Sequence, residues 1–365
     1  VYNGEIFNYL ELRDDLESRQ RARFRTTSDT EVLLRHWQER GERCLDDLNG
    51  QWAFVVWDRG SNRLTLSRDR LGIRPLFWTW DGTTFRFASE VKALFADPEV
   101  PRRLDVRALA QTFTFWCPIA PRTPFEGVHE LPPGHLLTVD RDGPRVRRWW
   151  TLEPGEPFRE EPEELAGRLR DLIADATRIR LRADVPVVAY LSGGLDSTAT
   201  TACALRNGAG KLETFSVTFE DREFDESDYQ DRAVAELGTE HRSVRCSHDD
   251  IAEAFPDVIW RTERPILRTA PAPLFLLSRL VRDAGYKVVL TGEGADELLG
   301  GYIWFKADRI VRAITSPVNR VVRYLLFAGL AGNGNTSLPH GAMGGTRVAQ
   351  QFLTEMMTHS RHWLY

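Results

Sequence analysis

Eight consecutive residues, Leu191-Ser192-Gly193-Gly194-Leu195-Asp196-Ser197-Thr198, carry the densest chemistry in the chain. They follow the apolar run 185–190 and precede the small-residue stretch 199–205, a pattern that predicts buried strand, tight turn and helix. Adjacent glycines let the backbone take positive φ and approach a ligand closely. The hydroxyls of Ser192 and Ser197 and the free amides of the helix start are expected to face outward as an anion site. No Gly-Lys-Ser/Thr ending follows, so this is not the loop that cradles β- and γ-phosphates in Walker-type proteins.

A second motif, Thr291-Gly292-Glu293-Gly294-Ala295-Asp296-Glu297, ends another buried-strand pattern over 286–290 and leads to Gly300-Gly301-Tyr302. Ligands collect at the carboxyl ends of strands in open parallel sheets. Asp196 and Asp296 could therefore share one cation, and two carboxylates with phosphate oxygens and water are what Mg²⁺ selects. Glu293 needs an offsetting metal or substrate cation if it stands beside phosphates. The competing reading is an acidic helix start stabilised by the macrodipole, which accounts for one acid more easily than for the whole run.

The elements that must position these groups divide near 151–160, a stretch of proline, glycine and charge without an apolar period. Before it, short aromatic-rich strands are expected at 51–57, 63–67, 75–80 and 84–88, joined by hairpin turns at 58–62 and 81–82 into one antiparallel sheet. After it, Leu165, Leu169, Leu172, Ile173, Ala176 and Ile179 mark an amphipathic helix. A strand at 213–217, a helix at 227–237 and another at 272–284 follow, and the alternation predicts α/β architecture with a parallel sheet. The Gly/Asn-rich stretch 328–345 reads as loop.

The first motif resembles the pyrophosphate loop of enzymes that cleave ATP between its α- and β-phosphates. Together the two motifs resemble glutamine-dependent asparagine synthetases of the class B type, and so does most of the chain. Val1-Tyr2-Asn3-Gly4-Glu5-Ile6-Phe7-Asn8, Ser28-Asp29-Thr30-Glu31-Val32, the stretches 67–76 and 87–94, Glu130-Leu131-Pro132-Pro133-Gly134-His135 and Phe224-Asp225-Glu226-Ser227 follow in family order. The resemblance runs over about residues 1–310 and weakens afterwards. It implies a glutaminase domain of the N-terminal-nucleophile hydrolase type at 1–150, a linker at 151–160 and an ATP pyrophosphatase domain at 161–365, an α+β and α/β pair. It further implies a glutamine-binding set of Asn3 and Gly4 as oxyanion donors, with Glu5 and Asp29 holding the substrate's amino end. Fixed neutral donors suit an oxyanion, and carboxylates pair with an α-ammonium group. Read without the family, Asn3-Gly4 is a turn dipeptide, and Asp29 lies inside a Ser28-x-x-Glu31 capping box. Arg68, Asp69 and Arg74 are expected to form a structural, ion-paired loop.

For the second half, the resemblance implies MgATP at Leu191, Ser192, Gly193, Gly194, Leu195, Asp196 and Ser197, with Val217, Thr291 and Gly292 also at the nucleotide. Asp196 and Asp296 become the metal pair, Glu293 a catalytic residue in acyl-adenylate formation, and Arg268 a candidate clamp for the acceptor carboxylate. The implied reaction amidates aspartate through β-aspartyl-AMP with ammonia from glutamine, giving asparagine, glutamate, AMP and pyrophosphate. Two other readings stand beside it: a related amide- or lactam-forming synthetase acting on another acid, and a non-catalytic ATP-binding relative. Retained Asn3, Gly4, Glu5 and Asp29 argue for an intermolecular glutamine user, and intact Asp196, Glu293 and Asp296 argue against a binding-only protein.

Relatives begin with a cysteine nucleophile, whereas Cys44, Cys117, Cys203 and Cys246 match no such position; a catalytic lysine is expected past Tyr365. The sequence thus reads as a fragment lacking both. Net charge of −5 with pI near 6.0 argues against non-specific nucleic-acid binding. Scattered cysteines argue against a disulfide framework or zinc site and fit a reducing, cytoplasmic setting. No run approaches the ~20 apolar residues that cross a membrane. Small-molecule partners are expected, with a homodimer left open.

Overall fold

The computed structural model describes residues 1–19, 23–153, 155–208, 210–303 and 305. They divide into two compact units. The first takes Val1–Asp184 together with His248–Phe275; the second takes Val185–Ser247 and the described residues from Leu276.

In chain order the first unit opens with β1 (Tyr2–Ile6), α1 (Tyr9–Ser18), α2 (Asp29–Arg40) and a 3₁₀ turn at Gly41–Asp46. Next come β2 (Gly50–Asp58), β3 (Arg63–Arg68), β4 (Phe77–Trp80), β5 (Phe85–Ala88), α3 (Val91–Leu94) and α4 (Val106–Phe115). It continues with β6 (Val128–Glu130), β7 (His135–Asp140), β8 (Gly143–Arg148) and α5 (Pro162–Arg180). The second unit holds β9 (Val187–Tyr190), α6 (Leu195–Arg206), β10 (Glu213–Phe219), α7 (Ser227–Leu237) and β11 (Glu240–Cys246). Helix α8 (His248–Thr262) returns to the first unit, α9 (Pro271–Asp283) runs on into the second, and β12 (Val288–Leu290) with α10 (Ala295–Leu299) completes it.

The first unit contains two antiparallel sheets rather than the single one expected. One has the order β1-β2-β3-β7-β8 and the other β5-β4-β6. The reason lies in β2, whose two faces are both buried. Trp52 and Phe54 pack with Ile6, Leu33, Leu45 and Leu136, while Ala53 and Val55 pack with Leu66, Leu76, Leu131 and Leu137. A strand covered on both faces reads as a continuous apolar run. The second cluster is closed by Trp78, Phe85 and Phe87 of the smaller sheet, so β4 and β5 pack over the first sheet instead of extending it. Strands β6, β7 and β8 were not foreseen, because charged, largely exposed residues such as Arg145, Arg147 and Arg148 mask the alternation in β8.

In the second unit the sheet is parallel, with order β11-β10-β9-β12. From β9 the chain moves outward one way through β10 to β11, and β12 then pairs on the opposite side of β9. The loops leaving β9 and β12 therefore diverge from neighbouring strands, the crevice where open α/β sheets take ligands. Val188, Phe215, Leu277 and Val281 form the core beneath. Strand β11 escaped the sequence reading because its polar residues, Glu240-His241-Arg242-Ser243, suit an edge.

Candidate active site

Strand β1 lies at the edge of the five-stranded sheet, and its register decides what it offers. Val1 exchanges both backbone bonds with Val55, and Phe7 donates to Asn49. Antiparallel pairs alternate, so odd residues bond to β2 while Tyr2, Gly4 and Ile6 turn their amides outward along the free edge. The Gly4 N–H thus points away from the sheet, as an oxyanion donor must. Glycine is required there by proximity, since a Cβ would collide with the Gln51 carbonyl oxygen and lie 2.8 Å from Trp52 Cα. Asn3 Nδ2 donates to Ser89 Oγ at 3.3 Å.

Asp29 clasps the same edge. Its Oδ2 accepts from Ile6 N at 3.0 Å and Tyr2 Oη at 2.7 Å. Burial raises the Glu5 carboxyl above the usual range, and the charges of Asp29 and Asp184 add to this against Arg74. Asp29 and Glu5 thus form an acidic pair short of positive charge. The capping box predicted around Asp29 forms only in part: Ser28 Oγ accepts from Thr30 N at 3.2 Å, but Glu31 turns back to the amides of Arg25 and Thr26. Two closer donors upstream capture it.

The loop after β3 also differs from expectation. Arg68 and Asp69 do not pair with each other. Buried Asp69 accepts from four backbone amides, those of Trp52, Leu71, Ile73 and Arg74, at 3.0–3.2 Å. Arg68 pairs with Glu130 at 2.7 Å and donates to the carbonyls of Gly72, Arg74 and Leu131. The acid gathers amides and the base gathers carbonyls, and their loop holds Arg74 within reach of Glu5's field. Tyr2, Arg74 and Ser89 were missed as contributors, although each lies in a stretch that had been singled out.

In the second unit, Gly193 takes φ +80°, and a Cβ there would meet the Tyr229 carbonyl carbon at 2.6 Å and Gln230 N at 2.7 Å. The loop is pressed onto the start of α7. Buried Gln230 ties α7 to β10, its Oε1 accepting from Ser216 Oγ at 2.7 Å and its Nε2 donating to the Val217 carbonyl at 3.0 Å. Nothing in the sequence marked Gln230, since one polar residue in a helix carries no pattern. Leu191 is buried and its N–H donates to the Phe215 carbonyl at 2.9 Å, while Leu195 stands exposed.

Ser197 corrects the sequence reading. Its hydroxyl is not turned outward; Ser197 is 9 % exposed, and its Oγ sits 2.9 Å from Ser192 Oγ and 3.2 Å from Ser192 N. It braces the loop internally. Ser192 remains exposed, with its Oγ also accepting from Gly194 N at 3.3 Å.

The two motifs meet through Gly292. A Cβ there would lie 2.9 Å from Ser197 N and 3.0 Å from Asp196 Cβ, so the loop after β12 abuts the first turn of α6. Asp196 and Asp296 are brought together: burial raises the Asp196 carboxyl, and the Asp296 charge raises it further. A Cβ on Gly301 would collide with Asp296 Oδ1, and Gly301 N donates to the Asp296 carbonyl at 3.0 Å. Thr291 and Glu293 are exposed beside this pair in sequence. Among the described residues no group of three or more His, Cys, Asp or Glu converges as a metal cage. Two carboxylates repelling one another fit a Mg²⁺ ion that takes its remaining ligands from phosphate and water. Arg268, the candidate clamp, lies in the first unit with its guanidinium 3.6 Å over the Trp116 ring. No disulfide joins the described cysteines, and burial pushes the Cys44 thiol up to about 12, leaving it protonated and inert.

A glycine loop and a carboxylate pair at the switch point of a parallel sheet thus share one chain with an antiparallel unit whose edge strand turns the Gly4 amide outward. Residues 1–150 match the glutamine amidotransferase domain, and residues 168–359 match asparagine synthase. The second match spans more than half of the chain, which belongs to the asparagine synthase family. It is 37% identical over 320 residues to Asparagine synthetase [glutamine-hydrolyzing] 3 of Bacillus subtilis, covering 84% of this chain and 52% of that protein. Identity to the Putative asparagine synthetase [glutamine-hydrolyzing] of Mycobacterium tuberculosis H37Rv is 33% over 364 residues, or 97% and 54% of the two chains. To Amidase chyE of Penicillium rubens it is 34% over 327 residues, or 84% and 48%. The chain spans about half the length of the curated relatives it matches. Among the described residues no helix is long and apolar enough to cross a membrane. The loop expected at 328–345 lies outside the described residues.

Proposed function

We propose that the protein serves ATP-dependent amide formation with glutamine as nitrogen donor and aspartate as acceptor. The observation that carries this reading is the meeting of Asp196 and Asp296 where Gly292 abuts the α6 start, beside the loop Ser192–Ser197. Backbone amides at that helix start and Ser192 Oγ would hold phosphate oxygens. Asp196 and Asp296 would hold Mg²⁺, which when bound neutralises phosphate charge. Leu191, Val217, Thr291 and Gly292 would bound the nucleotide. The aspartate side chain, activated as an acyl-adenylate with release of pyrophosphate, would then accept ammonia; Glu293 serves that activation.

In the first half, the outward Gly4 amide and Asn3 Nδ2 would stabilise the oxyanion formed during glutamine hydrolysis, and Glu5 with Asp29 would pair with its ammonium group. Amidation of a different carboxylic acid is the second reading, since relatives of this chain do not all carry the asparagine synthetase name.

The test uses the full-length protein. Pyrophosphate release with ATP and aspartate should be abolished in Asp196→Asn and in Asp296→Asn; near-normal release from both would sink the shared cation site. Asn3→Ala should cut glutamine hydrolysis by ~10²–10³ while ammonia-dependent synthesis continues. A panel of acceptor acids decides between aspartate and the alternative.

A further inference from the structure

Helix α3 starts without help from its own N-cap, for Glu90 makes no side-chain capping bond. Glu263, 172 residues beyond Val91, does the capping instead. Its Oε2 accepts from Val91 N at 2.6 Å, and its Oε1 accepts from Lys92 N at 2.6 Å and Lys92 Nζ at 3.0 Å. Two free amides at a helix start are what a carboxylate satisfies best. Only 9% of the Glu263 side chain is exposed, and its backbone sits at φ +55°, a left-handed conformation that costs a non-glycine residue energy. A buried, strained residue reaching across the sequence to bind two amides has been placed there by the fold around it.

What it fixes matters for the site. Ser89 and Glu90 lie directly before α3, and Ser89 Oγ accepts from Asn3 Nδ2. Helix α3 is otherwise anchored from below by Val91 and Leu94, packed with Phe77, Val100 and Val128. Glu263 therefore closes the upper end of a short chain of contacts: Glu263 to the Val91 and Lys92 amides, through the Ser89–Glu90 backbone, to the Asn3 amide. Glu263 lies within the stretch matched by asparagine synthase, whereas Asn3, Ser89 and Lys92 lie within the glutamine amidotransferase match.

We infer that Glu263 is a positioning residue for the glutamine half-reaction, supplied by the synthetase-like half of the chain, and that it sets the Asn3 side chain through α3 and Ser89. This rests on the reading of Asn3 as an oxyanion donor. It makes glutamine hydrolysis sensitive to any movement of the segment after α8, since that segment carries the cap.

The experiment uses full-length protein with Glu263→Gln, Glu263→Ala and Lys92→Met. The glutamine variant keeps size but presents an NH₂ to one of the two amides; the methionine variant removes the ion pair and leaves both amide bonds. Both Glu263 variants should lower kcat for glutamine hydrolysis by about tenfold, short of outright loss of an oxyanion donor, with KM for glutamine nearly unchanged. Ammonia-dependent pyrophosphate release should stay near the parent's, and Lys92→Met should resemble the parent throughout. Amide hydrogen exchange should accelerate at 89–96 and at 2–8 together in the Glu263 variants. Faster exchange at 89–96 with 2–8 unmoved would overturn the inference, as would Lys92→Met matching Glu263→Ala. A parent protein that hydrolyses no glutamine would remove the proposed function instead, and the exchange pattern would still decide whether Glu263 positions Asn3.

Discussion

Asp196 and Glu5 share one electrostatic condition, a carboxyl raised first by burial and then by neighbouring acids. A group whose folded pKa exceeds its unfolded value adds stability that is full below the unfolded pKa and lost as pH rises through the folded one. At neutral pH the ligand-free protein thus carries unrelieved repulsion at Asp196. Asp196→Asn should melt no lower than the parent at pH 7.5, yet lose the rise in melting temperature expected of the parent with MgATP. An equal MgATP-induced rise in both would remove the cation from the argument. On the proposed role of Glu5 as an ammonium partner, kcat/KM for glutamine should show an acid limb above the ordinary carboxylate range, because protonated Glu5 cannot hold an ammonium group. Arg74 opposes that shift, so Arg74→Gln should move the limb to higher pH in a pH–rate profile. A limb that stays or moves down would contradict the placement of Arg74.

At the scale of elements, two loops are organised by single residues. Gly193 combines a left-handed backbone with atoms of Tyr229 and Gln230 in the space of a side chain. Gly193→Ala should cost about 1–3 kcal/mol from overpacking beyond the backbone strain, and should weaken ATP binding by displacing the loop from α7. Gly238, the left-handed C-cap of α7, has nothing within 4 Å of its would-be Cβ, so Gly238→Ala should cost only about 1–2 kcal/mol and spare the nucleotide. Chemical denaturation with ATP calorimetry separates the two. Asp69→Asn should lower stability by about 3–5 kcal/mol, because an amide NH₂ would replace an oxygen among four backbone donors in a buried site. A midpoint within error of the parent's would show that the loop does not depend on the charge.

For the whole molecule, the compact units do not follow the order of the chain. Helix α5 and the stretch His248–Phe275 group with the N-terminal sheets. Arg182, just past α5, donates to Glu11 through Nη1 and Nη2, at 2.7 and 2.6 Å, and through Nη1 to the Phe7 carbonyl at 2.9 Å. Glu263 binds the start of α3. Proteolysis in the exposed, irregular stretch 155–160 should therefore nick the chain without freeing an independent N-terminal piece. The two products should co-elute on gel filtration and separate in denaturant. Separation under native conditions would show that these contacts are too weak to hold the first unit together.

Much of this was legible in the residues themselves. Short aromatic-rich runs between turn residues located β2 to β5, the Ser192–Ser197 glycines located the loop, and the apolar runs before both motifs located β9 and β12, because local backbone and burial requirements leave local patterns. Pairing across long separations leaves none. That β12 lies beside β9, that Gly292 presses on α6 and so joins Asp196 to Asp296, and that Ser197 turns inward were decided by packing. So too were the β1 register that frees the Gly4 amide, the parting of Arg68 from Asp69, and the capture of α3 by a carboxylate from beyond α8. In each case the partner satisfies a buried charge, amide or carbonyl whose need is visible locally but whose answer lies elsewhere in the chain. Residue types alone determined which groups could do chemistry; the tertiary structure decided which of them meet.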